Sequence, residues 1–91
     1  MSKILYTMVF DYQNGTYISQ VAAESPEAAI IEWAMAAKEQ DLSTWRLTRA
    51  ELAELYEEKP IPIENCLNVW CASGSTGGGL MLLNIVATTD E

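Results

Sequence analysis

From Lys3 to Tyr12 the chain alternates, with Ile4, Tyr6, Met8, Phe10 and Tyr12 on one face of an expected strand and Leu5, Thr7, Val9 and Asp11 on the other. Asn14-Gly15 then offers the two positive-φ residues of a type I′ turn, and a second strand follows from Thr16 to Ala23. A two-residue turn at that pair sets Tyr12 opposite Tyr17, Phe10 opposite Ser19 and Met8 opposite Val21. The aromatic face is the expected core. The other face mixes Leu5, Val9 and Ile18 with Thr7, Thr16, Gln20 and Asp11, too apolar to be fully solvated and too polar to be a core, which suits a dimer contact through Leu5, Val9 and Ile18.

The period then changes from two to 3.6. Ser25-Pro26-Glu27 reads as a helix start, because Ser25 can cap, Pro26 loses nothing at the first helical position and Glu27 meets the positive end of the dipole. The helix is expected to reach Glu39, with Ala29, Ile30, Trp33, Ala34 and Ala37 as its inward stripe and Glu32 and Glu39 outside. Asp41–Arg46 reads as a loop or short turn. Thr48 and Glu51 then form a capping box and Leu47 and Leu52 a hydrophobic staple. They open a second helix that buries Leu52, Leu55 and Tyr56 and stops before Pro60.

Beyond Pro60-Ile61-Pro62, alternation returns in an expected third strand, Glu64–Ala72. A glycine-rich loop, Ser73–Gly79, leads to a fourth strand, Leu80–Thr88, and Thr89–Glu91 read as a tail. No repeat or linker divides the chain, so residues 1–91 are one α+β domain in the order ββααββ. The expected architecture is a four-stranded antiparallel sheet with two helices packed on one face. Strands one and four are the most apolar, which favours the order 2-1-4-3.

Composition fits this picture and narrows the partners. With 49% hydrophobic and 20% charged residues, the chain has the apolar content a folded domain needs. Five basic against 13 acidic residues give a net charge of −8, which repels nucleic acid and anionic membranes and favours neutral or basic partners. No segment approaches the roughly 20 apolar residues of a membrane span, and no signal peptide is recognisable at the amino terminus, so a cytoplasmic location is expected.

Candidate chemistry is sparse. The loop Ser73-Gly74-Ser75-Thr76-Gly77-Gly78-Gly79 could bring backbone N–H groups to an anion, but it lacks the lysine and following helix of a Walker loop and reads first as a hairpin connection. Cys71 beside it lacks the histidine that would activate a thiol, since the chain has none. Cys66 and Cys71 in one strand would lie about 16 Å apart, beyond disulfide reach, so two packed, reduced thiols are expected. Their spacing does not make a zinc site, and no metal or cofactor is expected. Glu51, Glu54, Glu57 and Glu58 crowd the second helix, as a solvated face or as a dock for a basic protein.

Phe10-Asp11-Tyr12, Asn14-Gly15-Thr16-Tyr17 and Ser25-Pro26-Glu27-Ala28-Ala29 resemble the start of HicB-type antitoxins over roughly residues 4–38. That resemblance implies a small dimeric fold that masks a protein partner. The chain departs from the pattern afterwards, because the antitoxins' third strand and the Pro-Gly-Cys-type segment before their helix are missing. The residues themselves point to a small acidic, non-catalytic interaction protein, an inhibitor, immunity or regulatory partner, assembled as a homodimer. The alternative is a small enzyme or ligand-binding domain with its site at residues 73–79, using Ser73, Ser75, Thr76, Trp70 and Cys71.

Overall fold

The amino-terminal alternation is realised as β1 (Ile4–Tyr12), which pairs with β2 (Gly15–Ala23). The computed structural model describes residues 3–90, with Thr89 and Asp90 described by backbone alone. The chain continues through α1 (Pro26–Ala36), α2 (Glu39–Trp45), α3 (Arg49–Ala53), a 3-10 turn (Glu54–Tyr56), β3 (Ile61–Pro62), β4 (Val69–Thr76) and β5 (Gly79–Asp90). One antiparallel sheet runs β2-β1-β5-β4-β3, so the four long strands take the expected order. The expected tail is strand as far as Asp90, and Glu91 lies outside the described residues.

The even-numbered side chains of β1 build the core. Tyr6, Met8 and Phe10 meet Met81, Leu83 and Ile85 of β5, all at most 1% exposed, under Ile30 of α1 and Leu52 of α3. Such a side chain contributes about 1.5–3 kcal/mol on full burial, so the two central strands carry much of the stability. Phe10 is ringed by aromatics, with centroids 5.0 Å from both Trp33 and Trp45, which stack on each other at 5.6 Å.

The hairpin differs from expectation by two residues of register. Gln13 and Asn14, not Asn14 and Gly15, take positive φ (48° and 66°), so Tyr12 faces Gly15 and Phe10 faces Tyr17. The reason lies at Gly15, where a β-carbon would stand 2.7 Å from the Tyr17 hydroxyl. The glycine serves as the floor for the Tyr17 ring, and the turn moves one residue earlier. A shift of two keeps every side chain on its face, which is why the core survives the change.

Among the described residues there are three helices and a 3-10 turn rather than two helices, and five strands rather than four. At the first helix Ser25 caps as expected, its Oγ accepting from the Ala28 N–H at 3.1 Å. That helix stops at Ala36, and α2 occupies the expected loop, because the Asp41 carboxylate accepts from the Lys38 N–H at 2.9 Å and seats Leu42 and Trp45 in the core. Arg46 ends α2 in the left-handed region (φ 59°). The Thr48–Glu51 capping box is present in both directions, at 3.1 and 2.9 Å. The helix it opens is only five residues long before the 3-10 turn, which leaves Tyr56 37% exposed instead of buried.

Asn65 and Asn68 take left-handed φ of 67° and 64°, so Glu64–Asn68 is turn and bend, and β4 begins at Val69. Cys66 is therefore exposed and Cys71 half-buried, not two packed thiols. Ser73–Thr76 continue the strand, and the glycine-rich loop shrinks to a turn at Gly77 and Gly78. The fifth strand, β3, sets Ile61 against Cys71 and Pro62 against Trp70, a sheet edge where proline's missing N–H is tolerated.

Arg49 ties the helices together. Its guanidinium donates to the carbonyls of Ala34, at 3.0 Å, where the Ala37 N–H also donates at 3.3 Å, and of Ala37, both at the end of α1. Arg49→Met should lower the unfolding free energy by about 1 kcal/mol, measured by urea denaturation, because a cation at a helix C-terminus stabilises it.

Candidate functional site

With all helices on one side, the face of the sheet that carries the odd-numbered side chains of β1 is covered by no helix among the described residues. Its rows run Gln20–Thr7–Val86–Val69, Ile18–Val9–Asn84–Cys71 and Thr16–Asp11–Leu82–Ser73. The three residues expected at a dimer contact all lie here: Leu5 and Val9 half-buried, Ile18 67% exposed. Leu80, Leu82, Val86 and Ile61 join them, with Leu80 57% and Ile61 70% exposed. Asp11 is the one acidic side chain within these rows, and Thr16 Oγ1 donates to it at 2.6 Å.

The residues expected to grip a ligand do not converge. Trp70 and Thr76 lie on the helix side, while Cys71, Ser73 and Ser75 lie on the open side, because a strand alternates its side chains. Trp70 packs edge-on against Tyr6 at 6.1 Å. The Thr76 hydroxyl is bonded to the Tyr12 hydroxyl at 2.6 Å and accepts from the Gly78 N–H at 3.0 Å, so it fastens the β4–β5 turn. Gln13 Nε2 donates to the Gly78 carbonyl at 3.1 Å, holding the two hairpin tips together.

Two grooves flank the sheet. One, of about 550 Å³, runs along the outer edge of β4 and brings Glu54, Glu57 and Glu58 beside Cys71, Ser73 and Ser75. The four expected partner-binding carboxylates are not equivalent. Glu51 caps α3, Glu54 Oε1 accepts from the Ser75 N–H at 3.2 Å, and of the four only Glu57 and Glu58 are exposed. The 3-10 turn also breaks the one-turn spacing expected of Glu54 and Glu58. The other groove, of about 530 Å³, lies between β2 and the helices, under Trp33 and Trp45. Sequence reasoning missed this second groove. The available signal was Gly15–Ala23, nine uncharged residues on a strand that the expected order already put at the sheet edge.

The Cys71 thiol donates to the Ala72 carbonyl at 3.8 Å, and the sequence contains no histidine. Among the described residues no three His, Cys, Asp or Glu side chains converge as metal ligands, and no helix is long and apolar enough to cross a membrane. No family model matches this chain, and no curated protein and no solved structure matches it either.

Proposed function

We propose that this chain is a non-catalytic interaction protein that pairs with a second copy through its open sheet face and offers its acidic helix side to a basic protein. The observation that carries this reading is the segregation of charge. In a chain of net charge −8, Asp11 is the one acidic side chain among the described residues of the open rows, where Leu5, Val9, Ile18, Leu82 and Val86 stand instead. Partly apolar surface gathered on one face while charge is gathered elsewhere is the pattern of an interface.

The size is adequate. Four long strands about 4.8 Å apart and roughly 25–30 Å long present on the order of 500–600 Å² per copy, near the lower limit for a stable interface. On the other side, Glu57 and Glu58 are the free carboxylates of the partner surface, with Glu51 and Glu54 committed to the chain's own backbone.

Face-to-face pairing sets two −8 chains together across an apolar contact, so self-association should strengthen as salt screens their repulsion. Raising ionic strength from about 0.01 M to about 0.3 M should tighten the dimer several-fold in sedimentation velocity. Weakening with salt would mean that opposite charges hold the copies together, contrary to this reading.

A further inference from the structure

The two edges of the sheet are treated differently. Tyr12 and Gly15 flank a two-residue turn, so they exchange both ladder hydrogen bonds and the pairs alternate from there. Tyr17, Ser19 and Val21 therefore bond to β1, while Thr16, Ile18 and Gln20 turn their N–H and C=O groups outward. The same rule, started from the Thr76–Gly79 pair, turns Ser75, Ser73, Cys71 and Val69 outward on β4. There three of the four outward residues have a partner, the Ser75 N–H in Glu54 at 3.2 Å, Cys71 in Ile61 of β3 and the Val69 carbonyl in the Ile63 N–H at 3.0 Å. On β2, among the described residues, no hydrogen bond closes the outward backbone groups of Thr16, Ile18 and Gln20. Nor does β2 carry the charge or proline that usually blunts an edge strand.

Beside this open edge lies the groove of about 530 Å³, walled by Trp33, Ala36, Ala37, Asp41, Thr44 and Trp45. The two alanines leave room for side chains. Among the described residues Asp41 is the sole charged one lining it, and none of the five lysines and arginines does.

We propose that β2 takes an extended segment of a basic protein as an added strand. The segment's backbone pairs with Thr16, Ile18 and Gln20, its apolar side chains fill the groove against Trp33 and Trp45, and a lysine or arginine meets Asp41. A second copy of this chain fits less well, because its own β2 has no cation to offer Asp41. The edge bonds lie in the plane of the sheet and the open face is perpendicular to them. Strand addition can therefore occur with or without the face-to-face dimer.

The test uses the whole chain and a capped peptide whose groove-facing alternate residues are valine, valine and lysine with threonine between them, and the same peptide with glutamate in place of the lysine as control. Amide hydrogen exchange of Ile18 and Gln20 should slow about tenfold at saturating lysine peptide and stay unchanged with the glutamate peptide. Gln20→Pro removes an outward N–H without touching the β1 ladder and should abolish the effect. If that variant does not fold by circular dichroism, Asp41→Asn, which keeps the acceptor for the Lys38 N–H, should weaken the lysine peptide about fivefold. Unchanged exchange, equal response to both peptides, or equal affinity for Asp41→Asn would each overturn the proposal. So would edge protection that grows with protein concentration alone, since it would make a second copy the occupant.

Discussion

Phe10→Ala is expected to lower the unfolding free energy by about 3–5 kcal/mol and the melting temperature by on the order of 20 °C. Phe10 is fully buried on a central strand, and its ring contacts Tyr12, Tyr17, Trp33 and Trp45. Removing it takes away the shared neighbour of the two stacked tryptophans and leaves a cavity that the paired strands cannot collapse to fill. A domain of this size has about 5–15 kcal/mol in total, so the loss is a large fraction of its stability. Urea denaturation followed by tryptophan fluorescence checks it. A loss under about 1 kcal/mol would mean the aromatic cluster is not the centre of the core.

The second large effect concerns the open face. Val9→Lys places an ammonium in the middle row, beside Ile18 on one neighbouring strand and Asn84 on the other. In the free chain the lysine reaches water, so folding stability should change by less than about 1 kcal/mol. In the proposed dimer the same charge is buried without a partner, which costs about 3–5 kcal/mol and weakens association by at least ~100-fold. Size-exclusion chromatography with light scattering should show a folded monomer. A variant that associates as tightly as the original would remove this face from the interface.

Much of the fold was legible because local and global signals agree at particular residues. The β1 alternation, the Ser25-Pro26 start and the Thr48–Glu51 box each specify one element and one buried face, and all three stand in the structure. The misreadings fall where two signals competed. Asn14-Gly15 is the stronger turn pair taken alone, but Tyr17 claims the space above Gly15. The Lys38–Asp41 start of α2 is weak as a cap, and tertiary burial of Leu42 and Trp45 supplies what propensity does not. Ser73–Thr76 read as loop from its glycine and serines, whereas pairing with Leu80–Leu82 and Gly79 holds it as strand. Gly74 belongs there because a β-carbon would lie 2.8 Å from Met81 Cε and 3.1 Å from Glu54 Cβ.

The candidate surfaces were legible to a lesser degree. Leu5, Val9 and Ile18 fell on one face from periodicity alone, and the structure adds Leu80, Leu82 and Val86 from β5, which needed the strand order. The role of Glu54 was hidden, because its bond to Ser75 spans 21 residues of sequence and depends on how the 3-10 turn meets β4. The β2 groove was hidden for the same reason, since Trp33, Thr44 and Trp45 come together beside β2 only through tertiary packing.

The most direct test of the central claim is an isotope-filtered NMR measurement on a mixture of labelled and unlabelled copies, reading contacts between methyl groups of different chains. Open-face pairing predicts inter-chain contacts among Leu5, Val9, Ile18, Leu82 and Val86, and none from Ile30 or Leu52 beneath the helices. Contacts confined to the helix side, or a protein with no inter-chain contact at concentrations near a millimolar, would contradict it.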